Sequence, residues 1–335
     1  MPAPRRSSAE LEILRERVRV RAGAQGGVFR RSDLAAWGLE PTAVLTMRRN
    51  GTWVRLHHGV YADRHVVEGA VTPQARHLLL AAAACAAIEG SVACFGVTAA
   101  LLQGIPVDSR LLGHIELVRP IGRDSRALRR RISKPEHLPA ATIHILDIDE
   151  ADLTVHAGLP TAGRNLAAWT AAMAGDVDWG VVTLDAVAWQ APEVLAAIAE
   201  YSGRWTHLAG SGIARQALGN ARTGSQSPLE SLSRVRLIRV GMPEPRLQVP
   251  LHDARGLVGI VDMLFEAYGV VGEADGVEKY VRREDLVREK RREDRIRSLG
   301  FPVVRWDWSA AQGSMRGVAD EIRRASAYSR VRRSS

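Results

Sequence analysis

Residues 256–276 read GLVGIVDMLFEAYGVVGEADG, and this stretch decides how the C-terminal part of the chain folds. Two short apolar runs, 256–265 and 268–275, are separated by a turn and read as neighbouring strands of a buried sheet. The first carries one acid, Asp262; the second ends in two, Glu273 and Asp275, just before Gly276. Side chains two apart on a strand share a face, so Glu273 and Asp275 are expected to point the same way. Adjacent strands lie about 5 Å apart, which lets Asp262 join them. Three carboxylates at the ends of central strands repel one another and are costly to bury unpaired. A hard cation, Mg²⁺ or Mn²⁺, would compensate, bound by these carboxylates, water and substrate phosphate oxygens. Such an assembly activates water and stabilises the leaving oxygen in phosphodiester hydrolysis.

Upstream, Ser227-Pro228-Leu229-Glu230 opens a helix that continues to about residue 240, with Ser as N-cap, Pro in the first turn and Glu closing a capping box. Residues 247–251 read as a short strand. Downstream, 283–299 is a charged helix and 302–306 (PVVRW) a closing strand. The order is helix, three strands, helix, strand. Lys279, Lys290, Arg291 and Arg292 flank the acids and are candidates to hold a phosphate backbone. Two plainer readings stay open: mixed charges at helical spacing also make a solvated face, and Glu230 can be a cap alone.

The N-terminal block has a different pattern. Residues 10–21 read as a helix with Leu11, Leu14 and Val18 on one face. A glycine-rich turn follows. Ser32 is the expected N-cap of a short helix over 33–37 that Gly38 ends. Pro41 opens another helix reaching Arg49, and Asn50-Gly51 turns the chain into two short strands around His57-His58-Gly59. This order is that of a winged helix-turn-helix. Its third helix carries Arg48 and Arg49 and its wing Arg55, His57 and His58; residues 1–64 hold twelve arginines against six acids. Such a helix suits a major groove, with arginines on phosphates. A protein-binding winged helix has the same pattern.

Between these blocks the chain is less informative. Residues 73–89 and 91–102 read as apolar helices, 114–119 and 142–147 as strands, and 165–174, 181–189 and 192–201 as helices. Residues 123–131 read as a basic loop, and the Gly/Ser-rich 219–227 as a linker. The chain has 335 residues, 46% hydrophobic and 25% charged, as in an ordinary globular protein, with 46 Lys and Arg against 37 acids. The net charge of +9 suits a polyanionic partner such as DNA, although charge speaks to non-specific binding rather than to fold. Cys85 and Cys94, the two cysteines, have neither metal-ligand nor disulfide-framework spacing. The basic start has no apolar run behind it, and 78–88 is too short to span a bilayer. A cytoplasmic protein without membrane association is therefore expected.

Several of these blocks carry resemblances. The run SPLES (227–231), VDMLF (261–265), GEADGVEKY (272–280), EKRREDRIRSLGF (289–301) and VVRW (303–306) resembles the very-short-patch-repair-like branch of the PD-(D/E)XK nucleases. The resemblance implies a restriction-endonuclease-like α/β fold with a mixed central sheet. It also implies metal-binding roles for Asp262 and Glu273, and a first-helix acid at Glu230. Many members have the catalytic lysine where this chain has Asp275; Lys279 from the next loop or Lys290 from the helix would have to replace it. Residues 26–62, GGVFRRSDLAAWGLEPTAVLTMRRNGTWVRLHHGVYA, resemble the winged helix of AbiEi-type antitoxins, the repressor-like component of type IV toxin–antitoxin systems. Residues 157–174 are similar to the segment that joins such a domain to a nuclease-like tail.

The expectation is an α/β multidomain protein. It comprises a winged helix-turn-helix over 1–64, an α+β middle region over 65–224 and a nuclease-like α/β domain over 225–335. Two functions follow: a Mg²⁺-dependent DNA endonuclease positioned by its winged helix, or a non-enzymatic repressor or antitoxin with a cognate toxin or defence-system partner.

Overall fold

The structure, a computed structural model, describes residues 8–38, 43–88, 90–121, 128–132, 141–189, 191–276 and 283–333. The protein is a mixed α/β chain that groups into two compact units, one of residues 1–175 with 201–211, the other of 176–200 with 212–335. The segment 65–224, set apart by sequence, is thus shared between them.

The first unit opens with α1 (Ser8–Gly23), β1 (Val28–Arg30), α2 (Arg31–Ala36), α3 (Ala43–Arg49), β2 (Trp53–His57) and β3 (Val60–Asp63). The strands form a sheet of order β1-β3-β2, antiparallel throughout. Gly59 takes φ +75° in the β2–β3 turn, a conformation that favours glycine. Leu14 and Val18 of α1, Phe29, Leu34, Val44, Met47, Trp53 and Tyr61 form the core of this block. The start of α2 differs from expectation. Its N-cap is Arg30, not Ser32, and Asp33 in the first turn accepts the Arg30 N–H at 2.7 Å. An acid at the third helical position can satisfy an orphan donor without a Ser or Thr cap.

Next come α4 (Arg64–Gly69), capped by Asp63 accepting from the His65 N–H, and α5 (Pro73–Ala87), capped by Thr72. Helix α5 packs on all three strands of the first sheet. Then follow β4 (Ala93–Cys94), α6 (Gly96–Leu102), β5 (Ile115–Ile121), β6 (Leu128–Ile132), β7 (Ala141–Asp147), β8 (Leu153–His156), β9 (Leu159–Ala162) and α7 (Arg164–Ala172). The six strands form a mixed sheet of order β6-β7-β5-β4-β9-β8. Two expectations are corrected here. The helix read over 91–102 begins only at Gly96, because Ala93 and Cys94 pair with Val118 and Leu117 of β5. Part of the basic loop at 123–131 is strand β6, paired with β7, while 122–127 lie outside the described residues.

The second unit contains α8 (Val177–Ala188), the start of α9 (Val194–Arg204), α10 (Ser211–Asn220), α11 (Pro228–Arg239), β10 (Arg246–Asp253), β11 (Gly256–Phe265), β12 (Val270–Ala274), α12 (Arg283–Ser298), β13 (Val303–Trp306), α13 (Trp308–Gln312) and α14 (Arg316–Arg333). The expected linker at 219–227 begins inside α10, whose last turn reaches Asn220. The sheet has order β10-β11-β12-β13, with β13 parallel to β12 and the other pairs antiparallel. One face is covered by α11, α13 and α14 over Leu232, Met263, Phe265, Val304, Trp306 and Ile322. Helix α12 covers the other, with Ile296 set among Val249, Leu264 and Val271. Within this unit Arg234 of α11 is sunk beside Asp185 of α8 at 3.0 Å, both almost wholly buried.

A winged-helix surface and an acidic cleft

Helix α3 buries Val44 and Met47 and leaves Leu45, Thr46, Arg48 and Arg49 outward. Spacing of three between the buried residues puts both on one face, so the arginines fall on the other. Arg55 is exposed on β2, beside the wing turn. None of Arg48, Arg49 and Arg55 has an ion-pair partner among the described residues. Other arginines of this block are taken. Arg15 pairs with the buried Asp63 at 2.7 Å, Arg19 with Glu16, Arg30 with Asp33 and Arg64 with Glu68. The Arg15 guanidinium and the His65 N–H outweigh burial and hold Asp63 below the usual carboxylate range.

In the second unit, strand alternation brings Asp262, Glu273 and Asp275 to one cleft of ≈ 670 Å³, walled on the other side by Arg288, Glu289, Arg291, Arg292 and Arg295. These are the acids expected to converge, and they do share a face. Their lone pairs are engaged, however. The Asp262 Oδ2 accepts the Ala274 N–H at 2.9 Å, so this carboxylate stands in for a ladder carbonyl at the end of the β11–β12 pairing. The buried Glu273 receives two N–H bonds from Arg305 on Oε2, at 2.9 and 3.0 Å. On its other oxygen, Arg292 Nη1 makes an ion pair at 2.8 Å.

Arg305 holds more than one acid. It sits directly across the parallel ladder from Glu273, and it also meets Glu289 at 2.7 Å, Glu293 at 2.5 Å and Asp275 at 3.5 Å. Burial opposes its charge, but Glu273, Glu293 and Asp275 outweigh that and push its pKa up. Arg292, also against burial, is raised by Glu273 and Glu289, and it donates to the Ile260 carbonyl. Neither Arg305 nor Glu293 was singled out by sequence. The available signal was a lone arginine in an otherwise apolar strand, VVRW, on the parity that faces the charged helix.

A divalent metal is tested by this donor set. Mg²⁺ demands oxygen ligands at roughly 2.0–2.1 Å in near-octahedral array. Here two guanidinium groups stand against Glu273, and among the described residues no three His, Cys, Asp or Glu side chains converge as a metal-binding group. As placed here, the donor set around Glu273 fits two guanidinium groups better than it fits a cation.

The remaining expected residues fall as follows. Glu230 accepts from the Gln226 N–H, the Ser227 hydroxyl and Gln248 Nε2, at 2.9, 2.8 and 3.0 Å. Burial, with a contribution from the nearby Asp262 charge, raises its pKa. It closes the cap of α11 and holds Gln248, whose φ of +50° is unusual for a non-glycine residue. Arg291 lines the cleft and is exposed, and Lys290 is exposed on α12. Lys279 lies outside the described residues. Among the described residues no helix is long and apolar enough to cross a membrane.

Residues 16–62 match the protein family described as "Transcriptional regulator, AbiEi antitoxin". Two uncharacterized proteins from two strains of Mycobacterium tuberculosis are each 30% identical to this chain over 112 residues, which is 33% of this chain and 40% of theirs. The chain thus spans well under half the length of the curated relatives it matches.

Proposed function

We propose that the protein is a DNA-binding regulator of the antitoxin type, which docks α3 of its winged helix in the major groove of duplex DNA. The observation that carries this reading is the outward face of α3, with Arg48 and Arg49 exposed, together with Arg55, exposed on the wing strand. It lies within the segment that matches the regulator family. In this reading the two α3 arginines and Arg55 contact phosphates and fix the register of the helix, while Leu45 and Thr46 face base edges. A toxin of the kind paired with such antitoxins, or another defence component, is the expected protein partner. The second unit, nuclease-like in its order of elements, serves as a binding module whose acids are neutralised by Arg292 and Arg305.

The test is fluorescence anisotropy of the full chain on DNA from its own upstream region, against unrelated duplex, over a range of salt. Specific binding that weakens in Arg48→Ala/Arg49→Ala supports the reading. Equal affinity for both duplexes, unchanged by that pair of substitutions, overturns it.

A second reading, a Mg²⁺- or Mn²⁺-dependent endonuclease, is favoured by one observation: Asp262, Glu273 and Asp275 line a single cleft. Its test is metal-dependent cleavage of plasmid, nicked, mismatched and branched DNA by wild type beside Asp262→Ala. Cleavage by wild type alone would establish it; equal cleavage by both proteins would mark a contaminant.

A further inference from the structure

The two cysteines, nine positions apart in sequence, meet in the first unit. Cys85, half-buried near the end of α5, and Cys94, fully buried in β4, bring their sulfurs to 3.9 Å as free thiols. A disulfide bond measures about 2.0 Å, so the pair needs to close by only about 1.9 Å. The two thiols are not equivalent. A hydrogen bond from Cys94 holds Cys85 below the usual thiol range, whereas the same contact, with burial, pushes Cys94 well above it. Cys85 is also the less buried of the two residues. Thiolate character and the less buried position therefore coincide on one residue, with the protonated thiol beside it.

We propose that Cys85 and Cys94 form a peroxide-oxidised dithiol, with Cys85 the attacking and Cys94 the resolving cysteine. The substrate class is a hydroperoxide. The Cys85 thiolate attacks a peroxide oxygen, the O–O bond breaks, and the departing oxygen takes a proton and leaves as water or alcohol. Cys85 becomes a sulfenic acid. The Cys94 sulfur then attacks the Cys85 sulfur, the S–S bond forms, the S–O bond breaks, and the Cys94 proton leaves with hydroxide as water. Two thiols lose two electrons and one peroxide gains them.

The position of the pair gives the bond a structural consequence. Helix α5 packs on β1, β2 and β3. The turn after α1 lies so close that a Cβ at Gly26 would stand 2.8 Å from that of Ala82. Strand β4 lies inside the other sheet, paired with β5 and β9. The disulfide is thus a covalent strap between the helix supporting the winged-helix sheet and an interior strand of the six-stranded sheet.

The experiment treats the reduced full-length chain with hydrogen peroxide, then denatures it and measures intact mass and alkylatable thiols. The expected result is simultaneous loss of both thiols and of two hydrogens in a monomeric chain, reversed by dithiothreitol. Cys85→Ser should keep its Cys94 thiol under the same treatment. Cys94→Ser should stop at a sulfenic acid on Cys85, trapped by a 1,3-diketone. Survival of both thiols in the wild type, intermolecular cross-linking, or independent oxidation to sulfinic acids overturns the proposal. Circular dichroism of each serine variant separates failure to fold from failure to react.

Discussion

The winged helix and the acidic cleft both depend on arginine but use it in opposite ways. Arg48, Arg49 and Arg55 stand exposed with no ion-pair partner among the described residues, whereas Arg292 and Arg305 are partly sunk and clamp Glu273, Glu289 and Glu293. A guanidinium left in water keeps its donors for a partner with phosphate oxygens. One that already bridges several carboxylates has little left to offer. The second unit also keeps the Arg234–Asp185 pair almost wholly out of water, and the first buries His77 without charge.

The largest expected effect comes from breaking that buried pair. Arg234→Ala leaves Asp185 buried without its guanidinium, which should cost about 3–5 kcal/mol in chemical denaturation. A loss under about 1 kcal/mol would mean that water reaches Asp185, and that the second unit does not depend on buried charge.

His77 gives the matching measurement for the first unit. Its Nδ1 accepts the Gly113 N–H and its Nε2 meets the Thr98 hydroxyl, so the fold favours the neutral ring. Burial pushes its pKa down to about 4. The unfolded chain therefore binds one more proton than the folded one between roughly pH 6.5 and pH 4. Stability should be fully present above the unfolded pKa and fall as pH drops through that window, by about 3 kcal/mol in all. His77→Gln should flatten this part of the pH profile; an unchanged profile would place the titration elsewhere.

A smaller effect is expected at the cleft. Arg305→Ala should destabilise by about 1–2 kcal/mol, because Arg292 still faces Glu273 and the site is partly wet. Adding Glu273→Gln should recover part of that loss. Millimolar Mg²⁺ should leave the wild-type melting temperature unmoved; a clear rise would show that a cation displaces the guanidinium groups and would favour the nuclease reading. Smallest in free energy, Arg48→Ala and Arg49→Ala should each lower the slope of log affinity against log salt by about 0.9, with little change in stability. No change in slope would remove these arginines from the interface.

Much of the second unit was legible because its elements obey local rules. The alternation in 256–276 placed two strands, and Ser227 with Glu230 marked the start of α11. Strand β4 was not legible: two residues have no periodicity, and an alanine-rich run reads as helix until Ala93 and Cys94 find β5. The cap of α2 was misread because Ser32 looks like a cap by type, whereas Asp33 one position later takes the Arg30 N–H. In the cleft, the shared face of Glu273 and Asp275 followed from parity. Their neutralisation did not, because Arg305 was read only as part of a closing strand.

By itself, the sequence determined which acids line one face of the C-terminal sheet and that a short helix carries Arg48 and Arg49. Periodicities of two and of about 3.6 are properties of the local backbone. Only the tertiary structure decided what those acids do. The parallel register that sets Arg305 against Glu273 joins residues 32 positions apart, and the approach of α12 adds Arg292, Glu289 and Glu293. The same holds for Cys85 and Cys94, unrelated by spacing and brought to 3.9 Å by the packing of α5 and β4. Strand register and helix docking are long-range choices, made by the whole core at once, and no short motif encodes them.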